Sequence, residues 1–187
     1  MECLERIKEE VLKCCKCPLC KTRTKPVPGE GSGKVMLVGE APGREEDLEG
    51  RPFVGRAGKL LRQKLREVGF DEVYITNVVK CRPPNNRTPH KEEVEACKPY
   101  LEEEICCLKP ELVIALGKTA SKALLGFDAP LKELRGKVRV VKVKDCIVRV
   151  LVTYHPAAIL RNKSLLKEFE FDLKKAYSLV YKQGKLF

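Results

Sequence analysis

Residues 34–58 read KVMLVGEAPGREEDLEGRPFVGRAG, and this stretch decides the fold class. Residues 34–39 are a short apolar run that predicts a buried strand, and residues 39–58 carry too many Gly and Pro residues for regular structure. Loops of this length are uncommon in compact domains and usually carry function. We therefore expect a strand that delivers a functional loop.

The same alternation of strand and loop or helix continues along the chain. Further strands are predicted at residues 73–79 and 112–116, and a hairpin at residues 137–144 and 146–153. Helical spacing of apolar residues predicts the remaining elements, which are residues 2–13, Leu61 to Gly69, Thr88-Pro89 to Leu108, a short helix from Gly117, and Leu166 to Val180. Strands alternating with helices predict an α/β fold with a central, mainly parallel sheet covered on both faces. Functional loops then gather at the carboxyl ends of the strands.

Composition restricts the possible partners. The 187 residues favour a single domain, 1–187, and the excess of 37 Lys and Arg over 26 Asp and Glu favours a polyanion such as nucleic acid. No apolar run approaches the roughly 20 residues of a membrane span. The charged N-terminus, MECLERIKEEVLKC, is unlike a secretory signal, so a cytoplasmic, nucleoid-associated protein is expected.

Two nucleotide-binding motifs are excluded by their context. GEGSG at 29–33 precedes its strand, whereas a dinucleotide-binding loop follows one. Gly117-Lys118-Thr119 resembles the end of a P-loop, but the first glycine of that motif would fall on Leu112.

The N-terminal segment CCKCPLC offers metal ligands in more than one pairing. Cys14 and Cys17 form a CxxC pair, a spacing shared by zinc and iron–sulfur sites. Cys17 and Cys20 form a second CxxC pair, and Cys15 with Cys20 is a further alternative. Spacing alone does not choose between these pairings.

Two downstream cysteines complete a possible metal centre. Cys81 lies in a polar loop, CRPPNNRTP, where a core role is implausible, whereas Cys97 falls on the apolar stripe of its helix and could be a small core residue. Either zinc or an iron–sulfur cluster suits such thiolates. The state of the remaining cysteines is open, and intracellular disulfides, which occur in hyperthermophiles, are one possibility for Cys3, Cys15, Cys20, Cys106, Cys107 and Cys146.

The motifs GEAPG, KCRPPNNRTP and TYHPAAILRN together resemble the iron–sulfur uracil-DNA glycosylases of family 4. The resemblance extends from Cys14 to Asn162 and implies a three-layer α/β/α sandwich. It also implies a structural [4Fe–4S] cluster that links the N-terminal segment to the middle of the chain. In the family, the second ligand lies six residues before the Arg of a TRT-like segment, here Arg23. The implied ligands are therefore Cys14, Cys17, Cys81 and Cys97.

The resemblance also implies a uracil pocket. Phe53 would stack under a base flipped out of DNA, since a base inside the duplex is out of reach of an enzyme. Asn77 would pair with uracil O4 and N3–H, because an amide offers a donor beside an acceptor. His155 would donate to O2 as negative charge builds on the leaving base. His90 is interpreted as an ordinary histidine near a helix start.

The acidic loop after the first strand carries the remaining catalytic candidates. Glu40 and Ala41 resemble the segment that positions water and uracil O2. Family 1 enzymes have a water-activating aspartate at the place of Ala41, so the general base stays open here. Glu46 resembles a glutamate near uracil C5 that excludes the thymine methyl.

Several residues are candidates for contact with DNA. Ile159 or Leu160 would act as an apolar wedge in the minor groove, and Arg161 would contact a phosphate. Gly117 and Lys118 form a second phosphate site at a helix start. Further positive charge would come from Lys80, Arg87, Arg56 and Arg82.

The sequence therefore predicts a monomeric glycosylase that removes uracil from single- and double-stranded DNA. One alternative is a glycosylase of broader specificity for mismatched or deaminated bases. The other is a non-catalytic iron–sulfur protein that binds DNA or carries electrons. The C-terminal Gln183 to Phe187 also suggests a docking motif for a sliding clamp.

Overall fold

The computed structural model describes residues 2–182, which form an α/β fold. The strands are β1 (Glu30–Gly31), β2 (Val35–Gly39), β3 (Tyr74–Asn77), β4 (Leu112–Leu116), β5 (Val138–Val143) and β6 (Cys146–Thr153). The α-helices are α1 (Glu2–Leu12), α2 (Arg44–Glu49), α3 (Arg56–Val68), α4 (Lys91–Leu108), α5 (Lys118–Leu125), α6 (Leu131–Leu134), α7 (Pro156–Arg161) and α8 (Leu166–Tyr181). Short 3₁₀ turns occupy Pro18–Lys21, Pro84–Asn86 and Lys163–Leu165. The suggested clamp motif lies outside the described residues and stays a prediction.

The strands form one sheet in the order β1-β3-β2-β4-β6-β5. The four central strands are parallel, with Leu37 opposite Ile75 on one side and Ile114 on the other. The edge strands β1 and β5 run antiparallel to their neighbours. Every residue of β2, β3 and β4 is buried, as a sheet covered on both faces requires. The predicted mainly parallel sheet is confirmed.

Alternate residues of the strands feed two separate cores. Met36 and Val38 pack on the face covered by α1, α4 and α5, whereas Val35 and Leu37 pack on the face covered by α3, α7 and α8. Helices on both faces give the three-layer α/β/α arrangement that the family resemblance implied. No helix of residues 2–182 is long and apolar enough to span a membrane.

Three predicted boundaries are wrong. The loop at 39–58 contains α2, a helix without an apolar stripe. The strand predicted to reach residue 79 ends at Asn77, which pairs with Gly39 at the end of β2; the N–H groups of Val78 and Val79 still bond to the carbonyl oxygens of Gly39 and Glu40, at 2.9 and 3.0 Å. The helix predicted from Thr88-Pro89 begins at Lys91, with His90 as its N-cap.

Disulfides answer part of the open question about the additional cysteines. Cys3 pairs with Cys107, and Cys106 pairs with Cys146, at Cα–Cα distances of 6.0 and 5.8 Å. These links join α1 to α4 and α4 to β6. Because α1 leads into Cys14 and α4 carries Cys97, the disulfides hold together the two segments that supply predicted metal ligands. Cys15 and Cys20 are unpaired thiols.

Candidate active site and metal centre

A cleft opens at the carboxyl ends of the four parallel strands, where α/β proteins place their ligands. Glu40 follows β2, Asn77 ends β3, Gly117 follows β4, and His155 follows β6 by two residues. The parallel sheet therefore brings four separate motifs to one edge. The predicted site residues that line this cleft are Glu40, Ala41, Glu46, Phe53, Arg56, Asn77, Arg87, Gly117, Lys118, His155 and Arg161.

The side chain of Asn77 is buried at the base of the cleft with an unused acceptor. The residue is 2% exposed, and its Oδ1 has no hydrogen-bond partner, the sole such buried side-chain atom among the described residues. A buried acceptor without a donor costs about 1–3 kcal/mol, so a ligand N–H placed here would be strongly favoured. Gly39 leaves the space, since a Cβ there would lie 2.5 Å from both Asn77 Oδ1 and Phe53 Cζ.

Phe53 is held beside Asn77 in an uncommon backbone conformation. Its φ is 53°, in the left-handed region that bulky residues rarely adopt. The carboxylate of Glu46 accepts the N–H groups of Val54 and Gly55 at 2.8 and 2.7 Å, and Arg62 Nε donates to the Phe53 carbonyl at 2.9 Å. These contacts fix the backbone around Phe53, and such strain is typical of sites where a residue is held ready for a ligand.

His155 completes the group, with its ring centroid 5.7 Å from that of Phe53. Its Nδ1 accepts the N–H of Ala157 at 3.0 Å, so the proton of the neutral imidazole resides on Nε2. Part of the ring faces the cleft, yet the surrounding protein desolvates it, and this burial lowers the pKa of His155 to about 4, with Arg161 acting in the same direction. His155 is therefore a neutral N–H donor across the physiological pH range.

The two glutamates of the cleft have different surroundings. Glu46 accepts three backbone N–H groups, since its second oxygen also accepts from Gly43 at 3.0 Å. These bonds fix the Glu46 carboxylate at the cleft and hold the backbone around Phe53, while its predicted catalytic role stays a prediction. Glu40 instead accepts a single hydrogen bond, from Thr119 Oγ1 at 2.6 Å. It retains free lone pairs, whereas Ala41 offers only a methyl group.

The rim of the cleft carries exposed positive charge from Arg56, Lys118 and Arg161. One other predicted DNA contact, that of Lys80, needs correction. Lys80 is 1% exposed and forms an ion pair with Glu104, so it is unavailable to phosphate. Arg87, in contrast, lines the cleft; the Glu93 carboxylate holds its guanidinium through two hydrogen bonds, of 2.7 and 2.9 Å, and its contact with DNA stays a prediction.

Two further DNA candidates differ from their predictions. Arg82 does not line the cleft, and its Nε donates to Asn86 Oδ1 at 2.6 Å. Ile159 is 3% exposed and packs in the core, whereas Leu160 is 37% exposed. Of the two wedge candidates, only Leu160 is therefore available to enter a groove.

A second hollow, behind the cleft, is lined by the four predicted metal ligands Cys14, Cys17, Cys81 and Cys97. Cys20 lines it too, so the alternative pairing of Cys17 with Cys20 stays open on proximity alone. No three Cys, His, Asp or Glu side chains within residues 2–182 converge closely enough to hold a single metal ion. The four cysteines nevertheless line one hollow, and four thiolates are a ligand set of both zinc and iron–sulfur sites.

Two N–H donors already point at these sulfur atoms. Arg23 Nη1 donates to Cys81 Sγ at 3.0 Å, and the Lys80 backbone N–H donates to Cys97 Sγ at 3.2 Å. Burial raises the pKa of Cys97 to about 12 and also raises the pKa of Cys81, so without a cation both thiols are neutral at pH 7. Ligands with N–H donors behind them are the usual setting of an iron–sulfur cluster.

Sequence reasoning missed several residues that shape these sites. Gly39, Arg62, Thr119 and Glu104 were not predicted, although Gly39 and Thr119 stand in quoted motifs, because their roles depend on contacts with distant segments. Arg23 served only to place the cysteines, and its contact with Cys81 crosses 58 residues of sequence.

Comparison with known proteins gives one consistent result. Residues 28–178 match the family model described as the uracil DNA glycosylase superfamily. The chain is 50% identical to a type-4 uracil-DNA glycosylase of Sulfurisphaera tokodaii, over 96% of this chain and 86% of the relative. It is 51% identical to the type-4 enzyme of Pyrobaculum aerophilum, over 91% of both chains. Identity to the type-4 enzyme of Thermotoga maritima is 45%, over 98% of this chain and 97% of the relative.

Proposed function

The chain belongs to the type-4 family of the uracil-DNA glycosylase superfamily, and from this membership we propose how its cleft excises uracil. The reaction is hydrolysis of the N-glycosidic bond between uracil and deoxyribose, which leaves an abasic site in DNA. The enzyme is monofunctional, so it breaks no phosphodiester bond.

The flipped uracil lies on Phe53 with its O4 and N3–H edge toward Asn77. The carboxamide then accepts N3–H through the unused Oδ1 and donates to O4. Cytosine presents the reversed pattern of donor and acceptor at this edge and is rejected. The observation that carries the proposal is the buried, unpaired Oδ1 of Asn77 beside the ring of Phe53, whose backbone is held at a φ of 53°; this is a site prepared for a planar N–H donor.

Bond cleavage leaves negative charge on uracil and positive charge on the sugar. His155 Nε2–H donates to uracil O2 as this charge develops, and a fixed donor in a site shielded from water stabilises such a transition state. Glu40, with its free lone pairs, is the candidate that orients the attacking water. Leu160 fills the space left by the flipped nucleotide, while Arg56, Lys118 and Arg161 bind phosphates on the rim.

The function is tested with a single-stranded oligonucleotide that carries one uracil. We expect release of free uracil, and strand breakage only after alkaline treatment of the abasic product. A matched oligonucleotide with hypoxanthine and a duplex with a G·T mismatch distinguish the broader glycosylase, which would release hypoxanthine or the mismatched thymine at a comparable rate. Tight DNA binding without release of any base would instead identify the non-catalytic iron–sulfur protein.

We also propose that Cys14, Cys17, Cys81 and Cys97 hold a [4Fe–4S] cluster. The four thiols around one hollow and the two N–H donors behind them support this assignment. When bound, the cluster supplies a rigid cross-link, since hydrolysis transfers no electrons. Cys81 begins the loop that leads to Arg87 on the wall of the cleft, so this link fixes the cleft wall to the N-terminal segment.

Cysteine variants separate the proposed ligands from their neighbours. Cys81→Ala is expected to lose the iron, because Cys81 is buried in the hollow and no other thiol follows it in its loop. Cys15→Ala is the matched control, since Cys15 is exposed and outside the hollow, and this variant should keep the iron content of the wild type. Iron and sulfide analysis with visible absorption measures both. Zinc in place of iron in the wild-type protein, or full iron in Cys81→Ala, contradicts the proposal.

A further inference from the structure

Lys80 is among the largest fully buried side chains of the described residues, and its ammonium contacts the backbone of Asn77. Its ammonium donates to the Asn77 backbone carbonyl at 2.7 Å, to Thr76 Oγ1 at 2.5 Å, and to Glu104 Oε1. All three of its N–H donors are thus engaged. Burying a lysine is expensive unless it is paired, so this arrangement needs a reason beyond core packing.

Glu104 of α4 gathers the other members of this network. The carboxylate also accepts from Tyr74 OH at 2.6 Å and from Thr76 Oγ1 at 3.2 Å. Gly29 permits the arrangement, because a Cβ there would collide with both Glu104 Oε2 and Tyr74 OH. One buried carboxylate therefore contacts both β3 directly and Lys80, which follows that strand.

The network joins the base-recognition strand to the cysteine hollow through one residue. The side chain of Lys80 holds the Asn77 carbonyl, and its backbone N–H donates to Cys97 Sγ at 3.2 Å. Cys97 and Glu104 lie seven residues apart on α4, two turns along the same face. Helix α4 therefore contacts Lys80 twice: Cys97 Sγ accepts its backbone N–H, and Glu104 Oε1 accepts from its ammonium.

We propose that Lys80, fixed by Glu104, is a positioning residue that sets the orientation of Asn77 for uracil. The peptide that joins Asn77 to Val78 is held at two points: its N–H donates to the Gly39 carbonyl at 2.9 Å, and its carbonyl accepts from the Lys80 ammonium at 2.7 Å. Asn77 is the last residue of the β2–β3 ladder, so Lys80 supplies the constraint on the carbonyl side of this peptide. Rotation of this peptide would turn the Asn77 side chain away from Phe53. This inference rests on the proposed role of Asn77 in uracil binding.

The test is the double variant Lys80→Met/Glu104→Gln. It removes both charges together, which avoids leaving one buried charge unpaired, the strongly destabilising case. Single-turnover excision is expected to fall by about 10- to 100-fold, because misplacing a contact group by ~1 Å can cost ~100-fold. Inhibition by free uracil should weaken in parallel, and iron content should stay at the wild-type level.

A double-mutant cycle shows whether Lys80 acts through Asn77. In an Asn77→Ala background, adding the double variant should lower the excision rate by less than about a further twofold, because the side chain that Lys80 positions is already absent. Tyr74→Phe is the matched control, since it perturbs the same carboxylate without touching Asn77, and it should excise uracil at the wild-type rate. Additive losses in the cycle, or wild-type inhibition by uracil in the double variant, overturn the proposal.

Glu104→Gln alone is the second variant; because it leaves the Lys80 charge without its ion pair, its excision is measured at a temperature at which circular dichroism shows the protein folded. Glu104→Gln preserves the shape of the side chain and an acceptor for the lysine, so it is expected to slow excision less than the double variant does. It is tested in the same double-mutant cycle with Asn77→Ala. A folded Glu104→Gln protein whose loss is additive with Asn77→Ala also overturns the proposal. A wild-type protein that releases no uracil refutes the proposed function instead, so the two failures are distinguishable.

Discussion

His155→Ala is expected to slow uracil excision by about 10²–10³-fold, the usual cost of removing one donor from a developing oxyanion. The variant should still bind abasic DNA like the wild type, because the rim cations and Leu160 are untouched. Single-turnover rates at saturating enzyme isolate the chemical step. His90→Ala is the matched control, since His90 is an exposed N-cap outside the cleft, and it should keep the wild-type rate.

The pH profile gives an independent check on the same residue. Because the folded-state pKa of His155 is lowered to about 4, the imidazole stays a neutral donor at pH 5 to 8, and its titration should leave no inflection near 6.5. An inflection near pH 6.5 that vanishes in His155→Ala would contradict the neutral-donor assignment. The unfolded chain binds the extra proton between pH 6.5 and 4, so this residue lowers the free energy of unfolding as the pH falls through that window.

Sequence analysis predicted best the elements whose residues are uniformly buried. The run VMLVG is buried along its whole length, so an apolar run was sufficient evidence for a strand. The helix α2 was missed because its residues, REEDLE, show no apolar stripe, and backbone contacts from Glu46 to Val54 and Gly55 hold it in place. Such contacts bridge a turn and leave no periodic signal.

Charged residues were the hardest to place from sequence. Lys80 and Arg87 were assigned to DNA because they sit among other basic residues near Cys81, yet each is paired with a glutamate of α4, Glu104 or Glu93. A sequence shows the sign of a charge but not its burial, which depends on a partner far along the chain. Ile159 and Leu160 raised the same difficulty, because adjacent helix positions face different directions and one of them is in the core.

Asn77→Ala is expected to lose at least about tenfold in uracil excision, and up to 10⁴-fold where a site built to pair a polar group rejects a poorer fit. The structure favours the larger figure, because Asn77 is 2% exposed and water cannot replace the lost amide. Asn77→Asp keeps the shape but has no donor for O4, so it should also depress excision of uracil. It supplies an acceptor for cytosine N4–H, and slow release of cytosine is the diagnostic outcome.

Asn86→Ala is the matched control for both changes, since Asn86 lines the same cleft but is exposed to solvent. It should excise uracil at close to the wild-type rate. Iron content should be preserved in all three variants, and Asn77→Ala should also keep its thermal unfolding, because Asn77 Oδ1 makes no hydrogen bond within the protein. Wild-type excision by a folded, iron-loaded Asn77→Ala protein would refute the assignment. If Asn77 is the selective element, its loss must reduce the preference for uracil over cytosine and not merely the rate, since a donor–acceptor pair is the feature that distinguishes the two bases at this edge.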